Sequence, residues 1–281
     1  MYMSITVKFY RLVIKVLDNW LHIKLGDEKP RPLKNLYKKY SITKEVYEKH
    51  DCFFLNPLEG PKPTRAIIFM HGGGYIYKAT SYHWKIATEL MDKTGSSLVF
   101  TDYPLIPLTY EDATKYMEAV YQSASKTYKE IIFVGDSAGA GLALGFAHYL
   151  KEKKLPLPSK IVLISPWLDV SMENPDIKEI AKHDAWLANW PLKKFGLQYS
   201  NNNPKHYFAS PIYGELKDLP PTLIITTNDD VLDADVMLLE KKKDSNWDVK
   251  VSRYNGMFHD FPLMGLKESK QARVEIISFI K

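Results

Sequence analysis

One cysteine, Cys52, stands in 281 residues. That scarcity excludes an intrachain disulfide framework and any cysteine-rich zinc site, and it fits a reducing compartment. No run of 18 apolar residues occurs, so nothing reads as a membrane-spanning helix. Lys8, Arg11, Lys15 and Asp18 break up the stretch Met1 to Trp20, which therefore does not read as a secretory leader; a cytoplasmic protein is expected. No zinc finger, aromatic RNA-binding box or Arg-rich run points to nucleic acid. The net charge of +5 is no such footprint either. Residues 1–50 hold eleven basic residues against five acids, so the rest of the chain is close to neutral. The eight histidines show no H-E-x-x-H or H-x-H spacing, and no metal or cofactor is expected.

What remains is ordinary for a globular chain: 45% hydrophobic and 25% charged residues. From Ile5 to Ile23 polar positions recur at helical spacing, with Phe9, Leu12, Val13, Val16, Leu17 and Trp20 opposite Lys8, Arg11 and Lys15. This amphipathic helix is expected to pack on its own protein; a membrane surface or a second copy of the chain, as a homodimer, are the alternatives. Residues 34–50, rich in lysine and tyrosine, read as a second short helix. Beyond Asp51 the texture changes. Short apolar runs at Cys52–Leu55, Ala66–Met70, Leu98–Thr101, Ile131–Val134, Ile161–Ser165, Leu223–Thr226 and Val249–Tyr254 are mostly separated by helix-length segments. Such alternation predicts an α/β fold with a mostly parallel sheet covered on both faces. Between Pro166 and Pro211 no clear strand appears, and the length and aromatic content predict an inserted helical piece.

Gly135-Asp136-Ser137-Ala138-Gly139 matches G-x-S-x-G. Chance alone supplies this pattern about once in ten chains of this length, so context decides its weight. A buried strand precedes it and a helix follows. Reversing from strand to helix in so few residues forces the serine into strained backbone, for which flanking glycines leave room. Ser137 would then stand above the C-terminal edge of the sheet, at a helix N-terminus. His71-Gly72-Gly73-Gly74 directly follows another strand. No Gly-Lys-Ser/Thr completes a phosphate loop, so backbone N–H groups aimed at an oxyanion are the better account. A serine nucleophile needs a base, and the base needs an orienting acid. His259 lies just past the last strand, and Asp229 and Asp230 just past the one before it. The order Ser, Asp, His is that of an α/β-hydrolase.

At these residues the chain resembles the hormone-sensitive-lipase-like family of α/β-hydrolase esterases, from about Arg65 to Lys281. Ser165-Pro166-Trp167-Leu168-Asp169, Ser210-Pro211-Ile212 and His259-Asp260-Phe261 extend the likeness. The resemblance implies an α/β-hydrolase fold and a carboxylic-ester hydrolase with Ser137 as nucleophile and His259 as base. It implies Gly73, Gly74 and Ala138 as the oxyanion donors, and Asp230 over Asp229 as the acid, because Leu232 then falls in register. It further implies a helical cap built from residues 1–50 and an insertion at about 171–209, over a hydrolase domain of residues 51–281. The family's Arg and Glu after the fourth strand are missing from Asp102-Tyr103-Pro104-Leu105-Ile106-Pro107-Leu108, so the ion pairing of that loop is not carried over, while the chemistry is.

The expected partner is a small-molecule ester with a short or medium acyl chain or an aryl group. An amide-cleaving relative, arylformamidase-like or peptidase-like, would share the same machinery. A non-catalytic receptor on this fold, as in the plant gibberellin receptors, would lack the histidine that this chain has. An ordinary imidazole would make activity fall on acidification near pH ~6.5.

Overall fold

Residues 7–14, 28–60, 62–188 and 190–281 are described in the computed structural model. In chain order the strands are β1 (Tyr40–Tyr47), β2 (His50–Pro57), β3 (Arg65–Met70), β4 (Ser97–Thr101), β5 (Glu130–Asp136), β6 (Lys160–Ile164), β7 (Thr222–Thr226) and β8 (Val249–Arg253). They form one sheet in the order β1-β2-β4-β3-β5-β6-β7-β8. The first two pairings, β1 with β2 and β2 with β4, are antiparallel; every other pairing is parallel. The helices are α1 (residues 7–14), α2 (Ser81–Thr94), α3 (Tyr110–Thr127), α4 (Ser137–Glu152), α5 (Ile177–Ile180), α6 (Leu192–Tyr199), α7 (Asp233–Lys242) and α8 (Lys267–Ile280).

The continuous apolar runs follow from burial of both sheet faces. In β3, Ala66, Ile68 and Met70 join the core under α3 and α4, with Tyr116, Val120 and Phe146. Ile67 and Phe69 point to the opposite core, with Trp84 of α2 and Ile276 of α8. The period of two in a strand sorts alternate side chains to opposite faces, so a strand covered on both sides has no polar position to spare. Cys52 is wholly buried in β2, in register with Glu45 of β1 and Thr101 of β4.

Two expectations fail at the N-terminus. The second short helix over residues 34–50 is absent: Leu36–Lys38 is a single 3-10 turn, and Tyr40–Tyr47 is the edge strand β1. Its aromatic and β-branched residues, Tyr40, Ile42, Thr43, Val46 and Tyr47, suit a strand, while Lys44 and Glu45 face solvent on an unpaired edge. The hairpin turn is made by Glu48 and Lys49 at φ 47° and 70°, without the Asn-Gly that would have signalled it. The second failure concerns the buried face of α1. Val7 and Ile14 are buried and Arg11 is turned inward with them, whereas Phe9 and Leu12 are more than 60% exposed. Residues 7, 11 and 14 share one helical face, and a charge can be buried there because partners meet it. Residues 15–23 of the expected helix lie outside the described residues. Between β6 and β7 the chain forms α5, α6 and connecting turns.

The junction of β5 with α4 is tightly packed. A Cβ on Gly139 would fall 2.0 Å from the Met70 carbonyl oxygen, and one on Gly135 would fall 2.4 Å from that of Gly139. Both obstacles are backbone, which cannot swing aside. Gly139→Ala is therefore expected to destabilise the protein by about 1–3 kcal/mol or more in urea unfolding. Gly265→Ala, where nothing lies within 4 Å, should stay within about 0.5 kcal/mol. Equal midpoints for the two variants would contradict this account.

Candidate active site

β5 ends extended at Asp136 (φ −120°, ψ 145°), and the chain turns at Ser137 with φ +52° directly into α4. A non-glycine residue held there costs on the order of 1–3 kcal/mol, so the surrounding packing must impose it. Gly135 and Gly139 let the turn close. The first N–H groups of α4, including that of Ala138, have no intrahelical acceptor and point out of the helix end beside the serine.

The glycine loop is tied to this elbow by Asp136. Its Oδ2 accepts from Gly72 N at 2.9 Å and from His83 Nε2 at 3.1 Å. Burial disfavours protonation of His83, but the Asp136 carboxylate outweighs it and moves the imidazole pKa upward. Gly73 and Gly74 follow at φ +118° and +62°, and the Gly73 carbonyl accepts from Ile76 N and Tyr77 N. His71 plays a structural part: burial pushes its pKa down to about 3, its Nδ1 donates to Gly72 O, and its carbonyl accepts from Tyr103 Oη at 2.6 Å. That tyrosine belongs to the loop lacking the family's Arg and Glu. Tyr103 and a Lys78–Asp102 ion pair of 3.3 Å anchor the loop instead.

Two neighbouring aspartates after β7 diverge. Asp230 is fully buried, and its Oδ2 accepts from His259 Nδ1 at 2.7 Å while Oδ1 accepts from Leu232 N at 3.0 Å. Asp229 turns away to an ion pair with Arg11. The imidazole has a second carboxylate: Asp260 Oδ2 lies 3.1 Å from His259 Nε2. Burial opposes a charge on His259, yet Asp230 and then Asp260 outweigh it, and its pKa is raised well above the ordinary histidine value. An ordinary imidazole was the expectation from sequence; the adjacent Asp260, a buried carboxyl itself pushed up to about 6 mainly by burial, overturns it. A third acid, Asp184 of the insertion, is likewise raised to about 6 by burial and then by Asp230. Its carboxylate accepts from Trp186 N, Leu187 N and, across to the acid loop, Val231 N.

Gly73, Gly74, Ser137 and His259 line one cavity of about 450 Å³. Asp230 stands behind His259, and Ala138 is buried beside Ser137 in the first turn of α4. The walls are apolar, with Val13 and Ile14 from α1, Trp186 and Trp190 from the insertion, and Phe258 and Leu263 beside the histidine. Few polar groups in an apolar cleft is the usual make-up of a small-molecule site. A carboxylate-held imidazole, a strained serine and outward N–H groups can together deprotonate a hydroxyl and hold an anion. Among the described residues, no group of three or more His, Cys, Asp or Glu side chains could hold a metal ion. Asp136, His83, Asp184 and Asp260 were not singled out from sequence as site residues. Asp136 and Asp260 sit inside motifs that were read, but nothing local marks what they touch.

Comparison with known proteins agrees with this fold. A family model described as alpha/beta hydrolase fold matches residues 67–263. An esterase of Acinetobacter venetianus is 31% identical over 225 residues, covering 77% of this chain and 74% of the relative. An acetyl-hydrolase of Streptomyces hygroscopicus is 30% identical over 183 residues, covering 63% of this chain and 61% of its own. The crystal structure of an esterase from the bacterial hormone-sensitive lipase family superposes with a TM-score of 0.77 at 22% identity, over 99% of this chain and 92% of that one, a likeness of fold. Since the family match runs across both glycine motifs, the insertion and the loop of His259, the chain belongs to the alpha/beta hydrolase family.

Proposed function

We propose that this chain is a serine carboxylic-ester hydrolase acting on short- to medium-chain acyl or aryl esters. The observation that carries the reading is the 2.7 Å bond from His259 Nδ1 to Asp230, made in the wall of the cavity that Ser137 also lines. Curated relatives named esterase and acetyl-hydrolase support it. In the proposed cycle His259 Nε2 takes the Ser137 hydroxyl proton as Oγ attacks the ester carbonyl. Asp230 accepts a hydrogen bond from Nδ1–H and so leaves the lone pair on Nε2, which exchanges its contact with Asp260 for the serine hydroxyl, and both flanking carboxylates favour the imidazolium that forms. The oxyanion is met by the N–H groups of Gly73, Gly74 and Ala138; one such donor is worth on the order of 10²–10³ in kcat. The imidazolium returns its proton to the leaving alcohol. Water, deprotonated by the same imidazole, then releases the acid from the acyl-enzyme.

The apolar walls favour an acyl or aryl group, with α1 and the insertion acting as the cap. The single buried cysteine suits a cytoplasmic enzyme, and no helix among the described residues is long and apolar enough to cross a membrane. A panel of nitrophenyl esters of graded acyl length, run beside an aryl formamide, tests the substrate class. Turnover of the formamide alone would replace the ester reading with the amide one.

A fluorophosphonate probe is expected to add covalently to Ser137, since an activated alkoxide attacks phosphorus as it attacks carbon. Intact-mass analysis finding no adduct, or one that persists in Ser137→Ala, would refute the nucleophile.

Asp230→Asn should fold but lose roughly 10⁴ in kcat, as expected when the imidazole is held in the wrong tautomer. Asp229→Asn should cost far less. Matched circular dichroism with the two losses reversed would move the acid to Asp229.

The pH profile carries a sign. Because the His259 pKa is raised, the imidazole stays protonated and unable to accept to a higher pH than a free histidine would. Measured kcat/KM should therefore fall with acidification through a midpoint above ~6.5. Asp260→Asn, which removes one of the two charges, should move that midpoint down. A wild-type midpoint at or below 6.5, or one that Asp260→Asn leaves in place, would count against the doubly flanked imidazole.

A further inference from the structure

On the inward face of α1, Arg11 meets three separate segments. Its Nη1 pairs with the Asp229 carboxylate and donates to the carbonyl oxygens of Gly256 at 3.0 Å and Met257 at 3.1 Å. Its Nη2 donates to the His183 carbonyl. Asp229 adjoins Asp230, and Met257 stands two residues before His259. His183 adjoins Asp184, whose carboxylate accepts from Val231 N just past Asp230. The two loops are also joined directly, by Gly256 N donating to Asn228 Oδ1 at 2.9 Å. One guanidinium thus spans the acid loop, the histidine loop and the insertion. The Tyr10 ring beside it lies parallel to Phe258, with centroids 6.5 Å apart.

From this geometry we infer that Arg11 is a positioning residue for the reaction: it sets the separation of the loops that carry Asp230 and His259, and so couples the seating of α1 over the acyl cavity to the alignment of the Asp–His pair. The inference rests on the esterase reading. Its physical basis is the guanidinium's planar fork, which presents several N–H donors in fixed directions. A lysine ammonium reaches the same place as a point charge and cannot hold an acid and three carbonyls in the same geometry. The Asp–His bond is short-range and directional, so a small loop displacement weakens it steeply. Val13 and Ile14 on the same helix wall the cavity, so the clasp that aligns the base also seats the surface the acyl group touches.

The test uses Arg11→Ala, Arg11→Lys, Asp229→Asn and the Arg11→Ala/Asp229→Asn pair in the full chain. For each, kcat and KM are measured on a short nitrophenyl ester, with the rate of Ser137 labelling by a fluorophosphonate and thermal unfolding as a check. Arg11→Ala is expected to lower kcat and the labelling rate about tenfold or more with KM changed less than about threefold, and Arg11→Lys to recover only part of the loss. The double variant should be no worse than Arg11→Ala by more than about twofold, because the two side chains act through one interaction. If Arg11→Ala does not fold, Arg11→Lys and Asp229→Asn carry the test, each with a kcat loss. Wild-type kcat and labelling in folded Arg11 variants, a change confined to KM, or full additivity with Asp229→Asn would overturn the clasp. Wild-type protein that fails to label at Ser137 would instead overturn the esterase reading beneath it.

Discussion

Everything at the reactive edge depends on how closely the backbone of α4 approaches that of β3. Gly139 sits where a methyl group would fall 2.0 Å from the Met70 carbonyl oxygen. That approach lets the chain leave β5 and enter the helix with no intervening loop, and it is what holds Ser137 at a positive φ. From the same junction Asp136 reaches across to the glycine loop and to His83. The elbow is therefore also the anchor of the glycine loop, and the buried Asp136 carboxylate ties the two motifs together.

The second organising feature is an accumulation of acid around one imidazole. Asp230 and Asp260 flank His259 on its two nitrogens, and Asp230 opposes a charge on Asp184. Each carboxyl has backbone or histidine partners, which is the condition for carrying such groups inside a protein. Burial is the main cause that raises the pKa of Asp184 and of Asp260. Asp260 also holds a left-handed backbone conformation, and its N–H donates to Ser165 Oγ at 3.2 Å.

Much of this was legible in the chain. The sheet strands β3 to β7 carry continuous apolar runs, and the runs exist because both faces are covered; β8 at the edge alternates instead. Ser137, His259 and the glycine loop are marked by local patterns next to strand ends, where the fold collects loops. Other features were not legible because their cause is remote. Arg11 reads as the polar side of an amphipathic helix, and partners 172 to 246 residues away, Asp229 and the carbonyls of His183, Gly256 and Met257, make it an inward residue. Asp184 lies in a featureless insertion, with its partner Val231 on another loop. β1 was misread for a different reason: an edge strand carries the lysines and glutamates that a solvated helix carries, and its tight turn is made by residues without turn preference. The choice between Asp229 and Asp230 needed a register argument from sequence, whereas in space the two carboxylates face different partners.

The wholly buried Cys52 gives the molecule an internal clock. Its strand runs between β1 and β4 and its thiol packs in the core with Tyr116 of α3, with burial pushing its pKa far above that of a free cysteine, so the reactive thiolate is suppressed for as long as the sheet is closed. An alkylating reagent can therefore meet it only in molecules where the antiparallel end of the sheet has opened, and the rate of modification counts those excursions. This end of the sheet lies away from the loops after β7 and β8 that carry Asp230 and His259. Chemical trapping at one sulfur atom would thus report the breathing of the scaffold separately from the motions of the site it supports.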